Sequence, residues 1–384
     1  MPSNSALFNP TIPITLHSSP VAIASYSATE YLEYLFEYAV AHHVSDIHLE
    51  PSPVGLQIRI RQDGLLYPFS PPSPNIGSSI IARIKILAAL DIGEKRLPQE
   101  GEFTHLLFTN KAVHLRTSVC PTLYGEKIVL RLFNEANQTI SISSLGLTIQ
   151  QLALLQHAIE QPQGLILVTG PTGSGKSTTL YSALQHLNNG YYNIMTVEDP
   201  IEMKLLGIQQ VSIKPTLGFT FAQALRTFLR QDPDIIMIGE IRDNETATIA
   251  LQAAQTGHLV LSTLHTNNCL STLARLQMLN IDAGLLADTL LLIMSQRLVR
   301  RLCAMCLGQR CDACRDGFSG RLGVFELLSV SAELRELIRE KAPMPALYAQ
   351  AVNEGFVGLV DDAREKVAAG DTVESEVRRV LGGC

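Results

Sequence analysis

From Leu165 onward, short apolar runs alternate with segments of helical period. Leu165–Thr169, Ile194–Val197, Ile235–Ile238 and Leu259–Thr263 are such runs. Strands separated by helices predict right-handed crossovers and a mainly parallel sheet. The first third of the chain reads differently. Ser27-Ala-Thr-Glu30 is a capping box, followed at helical spacing by Leu32, Leu35, Phe36, Ala39 and Val40, so a helix is expected to start at Ser27. Val54–Arg61 alternates like a strand. Phe103–Phe108 and Ala112–Val119 predict a hairpin turning at Thr109-Asn110-Lys111, and Lys127–Phe133 a further strand. Ile80, Ile81, Ile84 and Leu87 predict a helix between them. This divides the chain into a flexible arm (1–26), an α+β domain (27–135), a linker and helix (136–160) and an α/β domain (161–384).

Composition narrows the class. Of 384 residues, 46% are hydrophobic and 17% charged, which suits a globular protein. The net charge of −6 is a poor electrostatic footprint for non-specific nucleic-acid binding, and no nucleic acid is expected as a partner. The first cationic side chain is Arg59, which argues against a secretory signal or an Arg-rich transit peptide. The apolar stretch Leu285–Met294 is too short to span a bilayer and is interrupted by Asp288 and Thr289. A cytoplasmic protein is expected.

Gly170-Pro171-Thr172-Gly173-Ser174-Gly175-Lys176-Ser177 fits the G-x-x-x-x-G-K-[S/T] phosphate loop, between an apolar strand and a helix that opens with Thr178. The glycines let the backbone take positive φ and bring N–H groups to phosphate oxygens, and the helix N-terminus faces the same anion. Lys176 is expected to reach the β- and γ-phosphates of ATP, and Ser177 to hold Mg²⁺. Asp234-Ile-Ile-Met-Ile-Gly239-Glu240 is an apolar strand ending in a carboxylate. Gly239 stands where an Asp is usual, so Glu240 is assigned the work of orienting the attacking water. Glu198-Asp199, His258, His265 and the arginines Arg226, Arg230 and Arg242 also fall beside strand ends, where ligands of open parallel sheets bind.

Two C-x-x-C pairs, Cys303/Cys306 and Cys311/Cys314, have spacing suited to tetrahedral Zn²⁺. An Fe–S cluster and an unmetallated remnant are the alternatives. Cys120, Cys269 and Cys384 have no partner spacing and are expected to pack, with Cys384 exposed at the chain end.

These motifs resemble the ATPases of bacterial type II secretion and type IV pilus assembly (GspE/PilB type) over about residues 28–380. Ser45–Pro51, Leu90–Gln99, Pro121–Arg131, Thr196–Glu202, Leu229–Asp243, Thr256–Asn267 and Phe318–Leu327 each resemble a family box, and Gln296–Cys303 fits the stretch before its tetracysteine site. The loop between the cysteine pairs is shorter here than is usual in the family. The resemblance implies a RecA-like P-loop domain preceded by a PAS-like α+β domain and followed by C-terminal helices. It implies a homo-hexameric ATPase that drives pilus assembly or secretion through an inner-membrane platform protein. It also assigns Arg116 and Arg131 to the phosphates, Glu198 and Glu240 to the acidic boxes, and His258 and His265 to the histidine box. The extra N-terminal docking domain of many secretion members lies outside the match, which points towards reduced or competence-like systems. The alternatives are a retraction or competence-type motor, a nucleotide-binding protein without turnover, and a nucleic-acid translocase.

Overall fold

The computed structural model describes residues 26–133 and 141–382, which form two compact units parting near residue 136. Residues 1–25 of the arm (1–26), residues 136–140 of the linker and helix (136–160), and Cys384 lie outside the described residues.

In the first unit, helix α1 (Ala28–Ala41) starts at the Ser27 cap, where Ser27 and Glu30 satisfy each other's backbone N–H at 2.8 and 3.3 Å. It is followed by β1 (Asp46–Ser52), β2 (Gly55–Gln62), β3 (Leu65–Phe69), helix α2 (Gly77–Leu87), β4 (Gln99–Leu106), β5 (Ala112–Thr122) and β6 (Gly125–Phe133). The sheet is antiparallel in the order β3-β2-β1-β6-β5-β4. Strand alternation sorts its faces. Ile47, Leu49, Ile60, Leu115, Ile128 and Leu130 turn to a core shared with Tyr31, Leu35, Phe36, Ile80 and Ile84 of the helices. The other face is polar, and Cys120 lies there exposed, so its expected packing role is not what the fold gives it. The Thr109–Lys111 turn has Asn110 at φ 57°, and Glu37 of α1 accepts from the Thr109 N–H (3.0 Å) and hydroxyl (3.2 Å).

The second unit begins with α3 (Ile149–Ile159), β7 (Gly164–Thr169), α4 (Lys176–Leu187), β8 (Ile194–Glu198), β9 (Gln209–Ser212), α5 (Phe221–Phe228), β10 (Ile235–Ile238), α6 (Asn244–Gln255) and β11 (Leu259–Leu264). Then come α7 (Cys269–Met278), α8 (Ala283–Thr289), β12 (Leu290–Leu302), β13 (Phe318–Ser329), α9 (Ala332–Arg339), α10 (Met344–Asn353), α11 (Leu359–Ala368) and α12 (Glu374–Leu381). The sheet order is β13-β12-β7-β11-β10-β8-β9, parallel except for the β12–β13 pair. The apolar run 285–294 is therefore the end of α8 joined to the start of β12. Two long strands, β12 and β13, add to the four read from the sequence. Apolar clusters lie on both faces of the sheet, one around Leu165, Ile236, Val260 and Ile293, the other around Ile166, Leu184, Met237 and Leu261.

A buried ion pair holds the first unit's loops. Lys85 of α2, 1% exposed, donates to Glu126 at 2.6 Å and to the Glu94 carbonyl at 2.7 Å. It thereby ties the 88–98 segment to the start of β6. Lys85→Met should lower the unfolding free energy of this unit by about 3 kcal/mol or more, because Glu126 is left buried and unpaired. Urea denaturation measures this; a loss under about 1 kcal/mol would show that water, not Lys85, satisfies Glu126.

Candidate active site

The parallel register brings four strand ends to one edge. Thr169 is level with Leu264, Ser262 with Ile238, and Ile238 with Val197. The segments that follow are 170–177, 265–268, 239–242 and 199–203, and they surround a cleft of ≈ 330 Å³. Carboxyl ends of parallel strands are where ligands of open α/β sheets bind.

The first wall is the glycine loop. Gly170, Gly173 and Gly175 have φ of 146°, 79° and 89°. At Gly170 space matters as well as φ, since a Cβ would stand 2.6 Å from the Gln296 carbonyl. Lys176 rests its ammonium on the carbonyls of Gly170 (2.9 Å) and Pro171 (3.0 Å). Burial lowers its pKa, opposed by Glu240 and Glu202. The Ser174 hydroxyl is buried without a hydrogen-bond partner among the described residues. An orphaned donor, an ammonium resting on loop carbonyls and positive-φ glycines at a helix N-terminus fit a polyphosphate. Ser177 and Thr178 also line the cleft.

The opposite wall is acidic. Glu240, two residues beyond β10, accepts from Arg242 and lies 3.3 Å from His265 Nε2. Arg242 also lies 3.5 Å from Asp199. Glu198 is buried and fully engaged: Tyr181 donates to Oε2, while Thr196 (2.6 Å) and Gln210 (3.0 Å) donate to Oε1. Burial and then Glu198 push the Tyr181 pKa up, so its hydroxyl stays a donor. Both carboxylates line the cleft, but three donors and deep burial leave Glu198 little capacity to accept from water, whereas Glu240 is more exposed there.

The remaining expected residues divide. His258 does not join the group. It precedes β11 at the far edge of the sheet, its Nδ1 2.9 Å from the Ala253 carbonyl. Arg226 pairs with Glu245, and Arg230 donates to the Arg226 carbonyl. Arg116 and Arg131 belong to the first unit, directly opposite each other on β5 and β6. Asp46 holds Arg131 at 2.9 Å. Arg116 lies 4.8 Å over the Phe133 ring and 3.8 Å from Glu102. Cleft residues not read from the sequence include Tyr181, Leu298 and Arg321. Tyr181 sat in view inside an unremarkable helical stretch, and the other two depend on strands the apolar pattern did not reveal.

The four cysteines converge beyond β12. Their sulfurs lie within 4.8 Å of one another, with Cys303–Cys311 at 3.8 Å, Cys306–Cys314 at 3.6 Å and Cys311–Cys314 at 3.7 Å. Thiolates about 2.3 Å from a tetrahedral zinc are separated by about 3.8 Å, so the donor set fits that ion. The short connection closes because Leu307, Gly308 and Arg310 take φ of 48°, 92° and 68°. It is also tightly stacked, a Cβ on Gly317 falling 2.5 Å from the Gly308 carbonyl.

The model of the type II/IV secretion system protein family matches residues 25–379. The chain belongs to that family. It is 44% identical to the protein transport protein HofB homolog of Escherichia coli (strain K12), over 96% of this chain and 85% of that one. It is 40% identical to the type IV pilus assembly ATPase PilB of Acinetobacter baylyi, over 91% of this chain but 66% of that one. Type II secretion system protein E of Klebsiella pneumoniae is 44% identical, over 89% and 73%. Among solved structures, the Legionella pneumophila ATPase DotB matches with a TM-score of 0.74 at 22% identity, over 92% of this chain and 95% of that one. The pilus retraction motor PilT with bound ADP matches with a TM-score of 0.60 at 27% identity, over 91% and 99%. The fold is thus the RecA-like one of secretion ATPases, and this member of the family is an ATP-hydrolysing enzyme, for which ATP and Mg²⁺ are implied.

Proposed function

We propose that the chain is the ATPase motor of a type IV pilus assembly or type II secretion machine, working as a homo-hexamer on an inner-membrane platform protein from the cytoplasmic side. The observation behind this is one cleft holding the glycine loop, Lys176, Glu240 and His265, in a chain whose relatives bear those machines' names. Among the described residues no helix is long and apolar enough to cross a membrane, which suits attachment through partners. The likeness to a retraction motor favours a second reading, a retraction or competence-type motor. The chain then comprises an arm (1–26), an α+β domain (27–135), a linker and helix (136–160) and the ATPase domain (161–384).

In this reading Gly170–Thr178 wrap the phosphates with backbone N–H groups, and Lys176 leaves its carbonyl rests for the β- and γ-phosphates. Ser177 would hold Mg²⁺, which when bound neutralises charge on those phosphates. Glu240 orients the attacking water and accepts its proton, with Arg242 and His265 keeping the carboxylate aimed. His265 donates to the γ-phosphate while it is present. Glu198 fixes the 199–202 turn against α4 through Tyr181. His258 serves the sheet's far edge rather than the reaction. For Arg116 and Arg131 the family resemblance is the whole support for a cationic role at the phosphoryl group. Cys303, Cys306, Cys311 and Cys314 hold zinc, which ties the end of β12 to the start of β13.

Glu240→Gln should lower kcat by about 100-fold or more while ADP still binds. Turnover equally slow in wild type and variant, with both assembled, would leave a nucleotide-binding protein instead of a motor. Freshly purified protein should contain about one equivalent of zinc, lost in Cys306→Ser. Less than about a tenth of an equivalent in the wild type would sink the metal assignment.

A further inference from the structure

Strand β12 is apolar and buried at Leu292, Ile293, Met294 and Val299, yet Gln296 and Arg297 interrupt it at 2% and 8% exposure. Burying a guanidinium in a strand costs more than burying a leucine, a cost that the nearby Glu326 carboxylate offsets in part. Neighbouring strand residues face opposite sides of a sheet, and these two reach opposite walls of the cleft.

On one side Gln296 grips the glycine loop. Its Nε2 donates to the Ser174 carbonyl at 2.6 Å, and its Oε1 accepts from the Thr179 hydroxyl at 2.8 Å. One amide thus spans the loop and the first turn of α4, and the paired donor and acceptor fix its orientation. Two loop glycines are packed onto the same residue. A Cβ on Gly170 would meet its carbonyl, and one on Gly175 would stand 3.0 Å from its Nε2. On the other side Arg297 Nη2 donates to the Asn267 carbonyl at 2.8 Å, where the Ser295 hydroxyl also reaches at 3.3 Å. Arg297 Nη1 returns to the Gln296 carbonyl at 3.0 Å, locking the fork in place. Asn267 is two residues beyond His265, the side chain beside Glu240.

We propose that Gln296 and Arg297 are positioning residues for the reaction, Gln296 setting the shape of the phosphate loop and Arg297 the position of the loop that carries His265. The dipeptide is a strut between the side that binds nucleotide and the side that acts on it. The Gln296 half stands on the loop geometry alone. The Arg297 half rests on the reading of His265 and Glu240 given above.

The two halves predict different kinetic losses, measured on the full chain with a fluorescent ADP analogue and with Mg-ATP. Gln296→Leu should weaken ADP binding and raise KM by about tenfold, with a smaller fall in kcat at saturating ATP. Arg297→Met should lower kcat by about tenfold while the ADP Kd stays within about threefold of wild type. ADP binding needs no turnover, so the Gln296 half is tested even if the chain hydrolyses nothing. If Gln296→Leu does not fold, Gln296→Glu takes its place: it keeps the acceptor for Thr179, loses the donor to Ser174, and should still weaken ADP. Unchanged ADP affinity in the folded Gln296 variant would overturn the first half. Equal losses of Kd and kcat in Arg297→Met, in step with a lowered Tm, would overturn the second and leave Arg297 a packing residue.

Discussion

The parallel register of β8, β10, β11 and β7 is the constraint on which the site depends. Each strand carries one functional segment at its carboxyl end, and only aligned strands put 170–177, 199–203, 239–242 and 265–268 around one cleft. A slip of one residue would turn every side chain of a strand to the other face. The apolar clusters on both faces of the sheet oppose such a slip. The hydrophobic core and the chemistry are therefore parts of one specification.

Much of this was legible in the sequence because the signals were local. The glycine loop is a contiguous run whose residues follow from backbone freedom and helix-end electrostatics. The Ser27 cap was readable for the same reason, as two residues three apart. The four central strands announced themselves as apolar runs. What stayed hidden was long-range. β12 and β13 lacked a clean pattern because buried polar residues with long-range partners sit inside them: Gln296 and Arg297 on one, Glu326 on the other. Glu326, 5% exposed, accepts the N–H groups at the starts of α7 (Cys269, 2.5 Å) and α11 (Leu359, 3.3 Å), a task set only by tertiary structure. β1 was different: Asp46, His48 and Glu50 alternate with Ile47 and Leu49, a period-2 signal that was present in the sequence and not read as a strand.

Proximity to a strand in sequence was a weaker guide than the end of the strand. His258 and His265 bracket β11 symmetrically, yet only His265 is at the carboxyl edge. Glu198 and Glu240 both sit at the carboxyl ends of parallel strands and line the cleft, but Glu198 already accepts from Tyr181, Thr196 and Gln210. Strand direction and donor count, neither visible in a motif, distinguish residues that look alike in the sequence.

The central claim is that the cleft distinguishes a nucleoside triphosphate from a diphosphate through the His265–Glu240 side. Equilibrium binding of ADP and of a non-hydrolysable ATP analogue, with Mg²⁺, to wild type and His265→Ala tests it directly. The account predicts that wild type prefers the triphosphate by about tenfold and that the variant loses most of this preference while keeping its ADP affinity. An unchanged preference in the variant would contradict it.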